Sequence, residues 1–481
     1  MMSNLSNIEP KRVFHYFEKI CSIPRGSGDM GKIAAFCEAF AKGHSLKCIR
    51  DESDNIVIFK PAAKGYESAE PVVLQGHLDM VCQKAEGVEK DFSAEGIEPF
   101  VDGDYVKARG TTLGADNGIA VAMILAILEN ESYKHPPIEA VFTVDEEIGL
   151  LGAAKLDAGV LKGKRMINID SEEDDTVTVS CAGGRDFCVT VPVKREEKTG
   201  SKATVTLRGL QGGHSGVEIH KGRVNGNILA GRFLNRFRED TDVHLVSIDG
   251  GDKSNAITNF CEIQLLVEDE SSFIAKANEY LELIKNEISA RENEFSYDIE
   301  VAQNENAFVI ADEMKKQLSV VLVSSPQGVI DMSAEIEGLV ETSMNLGILK
   351  TNGENIYFHY SFRSNKKTAI DFLQDRMTAV FSNISCNIEV SGGYPSWEYK
   401  ADSTLRELYC KCYEAHYGRP AKIEAIHAGL ECGVFDSKIE NLDCISIGPN
   451  MFDVHTFNEK LSISSTESIF KVLLSVLEKC V

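Results

Sequence analysis

The reading of this chain turns on PVVLQGHLDMV, residues 71–81. An apolar run, Val72–Leu74, closes at Gly76, and then His77 and Asp79 stand two apart before apolar residues return. A short apolar run between Pro71 and a glycine reads as a strand buried on both faces. Three runs share its texture: NIVIFK (55–60), EAVFTV (139–144) and RMINID (165–170). Among them lies NGIAVAMILAILEN (117–130), long enough and apolar enough for a buried helix. Buried strands alternating with helices predict an α/β domain, its mostly parallel sheet covered by helices on both faces. An imidazole and a carboxylate at the end of such a strand then call for a chemical reason.

The whole chain bounds what that reason can be. At 481 residues it exceeds one ordinary core and predicts two or three domains. A hydrophobic content of 43% with 26% charged residues is that of a globular protein. No run approaches the ~20 apolar residues of a membrane span, and the first twenty residues lack the pattern of a secretory signal. Thirteen cysteines, scattered singly, fit free thiols in a reducing compartment, and we expect a cytoplasmic protein. With 74 acidic against 50 basic residues the net charge is −24, which disfavours nucleic-acid and membrane partners.

Along the chain, SIPRGSGD (22–29) separates two helical patterns near the N-terminus. After SCAGGRD (180–186) the texture changes. From Phe187 onward the segments read β-α-β-β-α-β and then α-β-β-α-β, the pattern of two ferredoxin-like halves of an α+β domain. The α/β texture resumes with STLRELYCKCYEAHYG (403–418) and ends in a helix for which Ser464 or Ser465 is the expected cap. We therefore expect a catalytic domain in two parts, 1–186 and 393–481, interrupted by an inserted domain, 187–392.

In α/β sheets, ligands bind beyond the carboxyl ends of the strands. His77 and Asp79 follow one strand, Glu146 and Glu147 a second, and Asp170 a third, while His455 lies just beyond CISIG (444–448). Asp116 sits in GTTLGADNG (110–118), immediately before the apolar helix. Alone, each has a plain structural reading: a strand-end turn, a solvated acidic pair, a helix cap. Together, so many acids at one rim would repel one another unless a cation neutralised them. Two imidazoles among carboxylates suit divalent metal, zinc first and cobalt or manganese after it. One aspartate bridging two such ions is a standard device for activating water in hydrolysis. Asp79 is then placed to orient the His77 ring.

The ordered set LQGHLDMV, GTTLGADNGIA, DEEIGLLGA, NIDSEE, GGHSGVEIHKGR and HAGLECG resembles the co-catalytic zinc metallopeptidases that include carnosinases and peptidase T. It resembles most the aminoacyl-histidine dipeptidase (peptidase D, Xaa-His dipeptidase) group, and the motifs span nearly the whole chain. The resemblance implies two metal ions, one held by His77, Asp116 and Asp170 and the other by Asp116, Glu147 and His455. It implies Glu146 as general base toward a metal-activated water, Asp79 as the support of His77, and a cis peptide after Asp116. The inserted domain resembles the family's lid. There His214 would stabilise the oxyanion, Asn255 would bond the substrate, and Arg363 would clamp its terminal carboxylate. His427 and Glu431 would line the substrate pocket.

The expected activity is that of a metallo-exopeptidase cleaving dipeptides, Xaa-His dipeptides of the carnosine kind first. A broader di- and tripeptidase and an N-acyl amino acid amidohydrolase are the alternatives. A peptide-binding protein without activity is disfavoured by the full set of ligands and by Glu146. Monomer and homodimer both remain open.

Overall fold

The computed structural model describes residues 5–481, apart from the side chains of Ser6, Gln303, Asn304 and Glu305. It divides into two compact units: the chain through Cys181 with Trp397–Ala425 and Leu430–Val481, and Ala182–Ser396 with Ile426–Gly429.

The first unit is built on an eight-stranded sheet. Its centre is four parallel strands in the order Ile138–Thr143, Val72–His77, Arg165–Asn168, Asp443–Ser446. Antiparallel neighbours flank them: Ile56–Lys60 and Lys47–Arg50 on one side, Thr176–Cys181 on the other. Val72–His77 and Ile138–Thr143 are buried at every position, as expected of strands covered on both faces. The helix Ala115–Glu129 joins these two strands, and every residue from Asn117 to Leu128 is buried, so it is apolar all round rather than on one stripe. It packs closely on the sheet. A methyl group added at Gly76 would meet Asn117 Oδ1 and Ala120 Cβ, so only glycine fits there. The helix starts from Gly114 in the left-handed region, φ 68°. It ends where the buried Lys60 Nζ donates to the carbonyls of Ile127, Leu128 and Asn130. The last helix, Ile463–Lys479, is capped by Ser462, whose hydroxyl accepts from the Ser465 N–H. The cap therefore falls two or three residues before the serines expected.

The second unit carries a nine-stranded sheet in which all the neighbouring strands described are antiparallel. Its order resolves into two copies of one arrangement. Strands Arg195–Arg208, Val243–Gly250, Cys261–Val267 and Ser296–Ile310 alternate with helices Gly226–Arg236 and Glu270–Ile288 as β-α-β-β-α-β, and lie side by side as fourth, first, third, second. The other copy uses Gly183–Pro192, Val340–Asn352, Asn355–Ser364 and Asn387–Tyr394 with helices Asp312–Ser324 and Lys367–Phe381, in the same order reversed. The second half thus takes its first strand from before the first half, and that strand is the one the sequence pattern lacked. The halves meet where Gly250 pairs with Leu349, and one apolar core runs through both. Among the described residues, no helix is long and apolar enough to cross a membrane.

Candidate metal centre and substrate-binding residues

All four parallel strands deliver a candidate ligand at or beyond their carboxyl ends. His77 is the last residue of its strand, Glu146 and Glu147 follow Thr143, Asp170 follows Asn168, and His455 lies farther past Ser446, in the loop after the short strand Met451–Phe452. Asp116 comes from the start of the buried helix. The structure brings these six together. Asp116 faces both ways: Oδ1 lies 3.1 Å from His77 Nε2 and Oδ2 lies 3.0 Å from His455 Nε2. His77 Nε2 is also 3.5 Å from Asp170 Oδ1 and 4.0 Å from Glu146 Oε2. His455 Nε2 is 2.9 Å from Glu147 Oε2. Three overlapping groups, His77–Asp116–Asp170, His77–Glu146–Glu147 and Asp116–Glu147–His455, each hold their ligand atoms within 4.8 Å of one another.

The charge balance fits cations. Burial pushes Asp170 up to about 6 and Glu172 up to about 7, reinforced by Asp116 and the other acids nearby. Glu146 is raised well above the usual carboxylate range by burial and then by Asp170, Glu431 and Glu147. The imidazoles are raised as well: burial alone would lower them, but facing carboxylates lift His455 to about 11 and His77 well above its ordinary value. The site draws in positive charge wherever it can. Nitrogen and carboxylate-oxygen donors around a shared aspartate form a set that zinc, cobalt or manganese accepts, and these residues fit two such ions.

Asp79 does more than orient His77. Its carboxylate is buried; Oδ1 accepts from the Glu146 N–H at 3.0 Å, and Oδ2 from the Glu147 N–H at 3.2 Å and the Ser27 hydroxyl at 2.8 Å. His77 Nδ1 lies 3.2 Å from the Asp79 carbonyl oxygen and 3.4 Å from Oδ1. Asp79 thereby links one ligand strand to the next. Asn117 does the same on the other side: its Nδ2 donates to the Ile169 carbonyl and Asp170 Oδ1, and its Oδ1 accepts from the His77 N–H. The peptide between Asp116 and Asn117 is cis.

Glu431 is a correction. Rather than lining a pocket, it is fully buried, accepting from Gln75 Nε2 at 2.5 Å and Thr143 Oγ1 at 2.6 Å, while Asn168 Nδ2 donates to Gln75 Oε1. It ties three strand ends together from beneath, and burial pushes its carboxyl up to about 7. Two further residues at the site were missed in the sequence, Glu459 and Arg25. Arg25 lies in SIPRGSGD, read only as a helix break, and Glu459 follows His455 with no motif to single it out.

The second unit gathers the other four candidates. Gly213–His214 pairs with Ala256–Ile257, and the Ser215 N–H donates to the Asn255 carbonyl, so His214 and Asn255 are neighbours. His214 Nδ1 accepts from the N–H groups of Gly216 and Val217, which leaves the ring proton on Nε2. Arg363 Nη1 donates to the Tyr394 hydroxyl at 2.6 Å. Arg363 pairs in register with Ser343, whose hydroxyl lies 2.7 Å from His427 Nε2. Burial and then Arg363 lower both imidazoles, His427 to about 3. The cluster is thus a permanent cation with two neutral rings, suited to an anionic group and an adjacent hydrogen-bond acceptor.

Comparison with known proteins agrees with this chemistry. Residues 73–479 match the model of Peptidase family M20/M25/M40. The chain is 37% identical to the cytosol non-specific dipeptidase of Escherichia coli (strain K12) over 482 residues, 99% of each chain. It superposes on the crystal structure of the aminoacylhistidine dipeptidase from Vibrio alginolyticus with a TM-score of 0.91 and 37% identity, covering 99% of this chain and 98% of that one. An aminopeptidase PepT from Bacillus cereus shares the fold at 15% identity, with a TM-score of 0.56 over 98% of this chain and 99% of that one. A sheet that gathers metal-type ligands at its carboxyl edge defines a hydrolytic class. The chain belongs to peptidase family M20/M25/M40 and is a peptidase.

Proposed function

We propose that the protein is a dinuclear metallo-dipeptidase acting in the cytoplasm. The observation that carries this reading is the division of the Asp116 carboxylate, one oxygen toward His77 and the other toward His455. His77, Asp116 and Asp170 would hold one cation, and Asp116, Glu147 and His455 the other, zinc being the first choice. When bound, the pair would polarise the scissile carbonyl and ionise a water near neutral pH.

The chain's own groups then perform the proton and charge transfers. Glu146, beside Glu147, takes the proton of the attacking water and hands it to the leaving amino nitrogen as the carbon–nitrogen bond breaks. His214, with its proton fixed on Nε2, donates to the oxygen on which negative charge develops. Arg363 pairs with the substrate's C-terminal carboxylate, with Asn255 and His427 beside it. A residue that reads the terminal carboxylate makes the enzyme an exopeptidase and sets substrate length.

Of the two 37% identical relatives, one is named for aminoacyl-histidine substrates and the other as non-specific. We therefore assign length as the main selection and expect Xaa-His dipeptides such as carnosine to be substrates among others. The name of the cytosolic relative and the free thiols support the cytoplasm. The test is metal analysis with a panel of Xaa-His dipeptides, other di- and tripeptides, and N-acyl amino acids. Glu146→Ala is expected to retain its metal and lose several orders of magnitude in kcat. Near-normal turnover would remove Glu146 from the mechanism, and faster cleavage of N-acyl amino acids than of any dipeptide would replace the dipeptidase reading.

A further inference from the structure

Glu459 is nearly fully buried, and its carboxylate accepts from four consecutive backbone N–H groups. Oε2 takes Leu113 at 2.8 Å and Gly114 at 3.0 Å; Oε1 takes Ala115 at 2.8 Å and Asp116 at 3.4 Å. They belong to the turn that leads into the buried helix and to its first two residues, Ala115 and Asp116. The carbonyl side of the same turn is held as well: Arg25 Nη2 donates to the Gly114 carbonyl, and Nη1 donates to those of Leu78 at 2.9 Å and Asp79 at 3.0 Å. The turn carrying Asp116 is therefore gripped on its N–H face by Glu459 and on its C=O face by Arg25.

The position of Glu459 in the chain gives this grip a purpose. It stands four residues beyond His455, at the end of the loop Asp453–Asn458. That loop departs from ordinary backbone, with Asp453 at φ 54° and His455 at φ 63°, and the His455 side chain is half exposed. Beside the His455 ring itself, the carboxylate of Glu459 ties this loop to the opposite ligand, closed on the backbone of Asp116.

We infer that Glu459 is a positioning residue for the second cation: it sets the separation of Asp116 from His455 by clamping the Leu113–Asp116 backbone. Arg25 sets the other separation, holding the His77 strand end against the same turn. This inference rests on the dinuclear reading above. Supports of this kind, beyond the ligands themselves, typically contribute ~10–100-fold to metal affinity.

The test is Glu459→Gln. The substitution keeps the volume but leaves one acceptor oxygen and turns an NH2 toward two backbone donors. Metal-free enzyme is titrated with Co2+, following the visible absorbance of the bound ion, with near-UV circular dichroism as a check of the fold. The wild type is expected to take up two ions. E459Q is expected to take up the first within a few-fold of wild type and the second at least 10-fold more weakly. Its dipeptidase kcat should recover as cobalt is raised, whereas E146A should not recover at any concentration. Should E459Q fail to fold, Glu459→Asp, which keeps the charge but falls one methylene short, undergoes the same titration with the same expectation. Two ions bound with wild-type affinities in the folded variant would overturn the inference and leave the dinuclear reading standing. No cobalt bound by the wild type would instead overturn that reading, and this inference with it.

Discussion

Replacing Asp79 by asparagine tests how the strand ends are joined. The carboxylate is buried and serves four partners: the N–H groups of Glu146 and Glu147, the Ser27 hydroxyl and the His77 ring. Asparagine has the same shape but a single acceptor oxygen. If that oxygen stays with Glu146 N–H and His77 Nδ1, the new NH2 faces the Glu147 N–H, donor against donor. The Ser27 hydroxyl can turn and accept, so it is lost only in part. One hydrogen bond to a charged acceptor disappears, worth ~1.5–3 kcal/mol, and one buried N–H loses its partner. Taking ~2 kcal/mol as the net effect on the assembled site gives roughly a 30-fold loss. That lies inside the range for residues that orient metal ligands.

The loss should appear in kcat and in metal affinity rather than in KM, because Asp79 is walled off from substrate by the residues it holds. The assay is steady-state kinetics on one dipeptide at several metal concentrations, beside a metal titration of the apoenzyme. Asp79→Asn should show kcat reduced ~10–100-fold at limiting metal. A variant with wild-type kcat at every metal concentration would refute the view that this carboxylate sets the place of Glu146 and Glu147.

Two further predictions concern Lys60 and His427. Lys60→Met removes the ammonium that closes the buried helix on three carbonyls, and is expected to cost ~2–4 kcal/mol, read as a fall in Tm with kcat at 25 °C unchanged. An unchanged Tm would show that those carbonyls find other partners. His427, held neutral to about pH 3 by burial and by Arg363, binds no proton in the folded state where an unfolded histidine, near 6.5, already does. Its contribution is therefore nil above pH 6.5 and grows unfavourable as pH falls toward 3, reaching ~2 kcal/mol by pH 5. Urea midpoints followed by far-UV circular dichroism should accordingly fall less steeply between pH 6.5 and 5 in His427→Asn than in the wild type, and parallel curves would contradict the assignment.

The sequence made the candidate metal ligands legible because each follows an apolar strand or opens an apolar helix, where a charged or imidazole side chain calls for a chemical reason. His77 after VVLQG and Asp170 after MINI are visible for that cause alone. The ferredoxin-like halves were legible from periodicity, but the first strand of the second half was not. Gly183–Pro192 lies more than 160 residues before its partner Asn355–Ser364, and no local pattern records so distant a pairing. Asp79 was visible as a neighbour of His77, yet its hold on Glu146 and Glu147 was not, since that hold runs through backbone N–H groups that carry no sequence signature.

Glu459 and Arg25 were hidden for the same reason. A side chain that acts on other side chains leaves a matched pair of residue types, whereas one that acts on backbone leaves only itself. The same logic explains Glu431, which looked like a rim residue because it stands in a motif beside His427. Its partners, Gln75 and Thr143, are polar residues in two strands buried at every position, and that anomaly was the available clue. Buried polar groups must be satisfied by something. Gln75 and Thr143 meet part of that need in each other, Gln75 Nε2 donating to Thr143 Oγ1 at 3.2 Å, and the buried Glu431 carboxylate meets more of it by accepting from both.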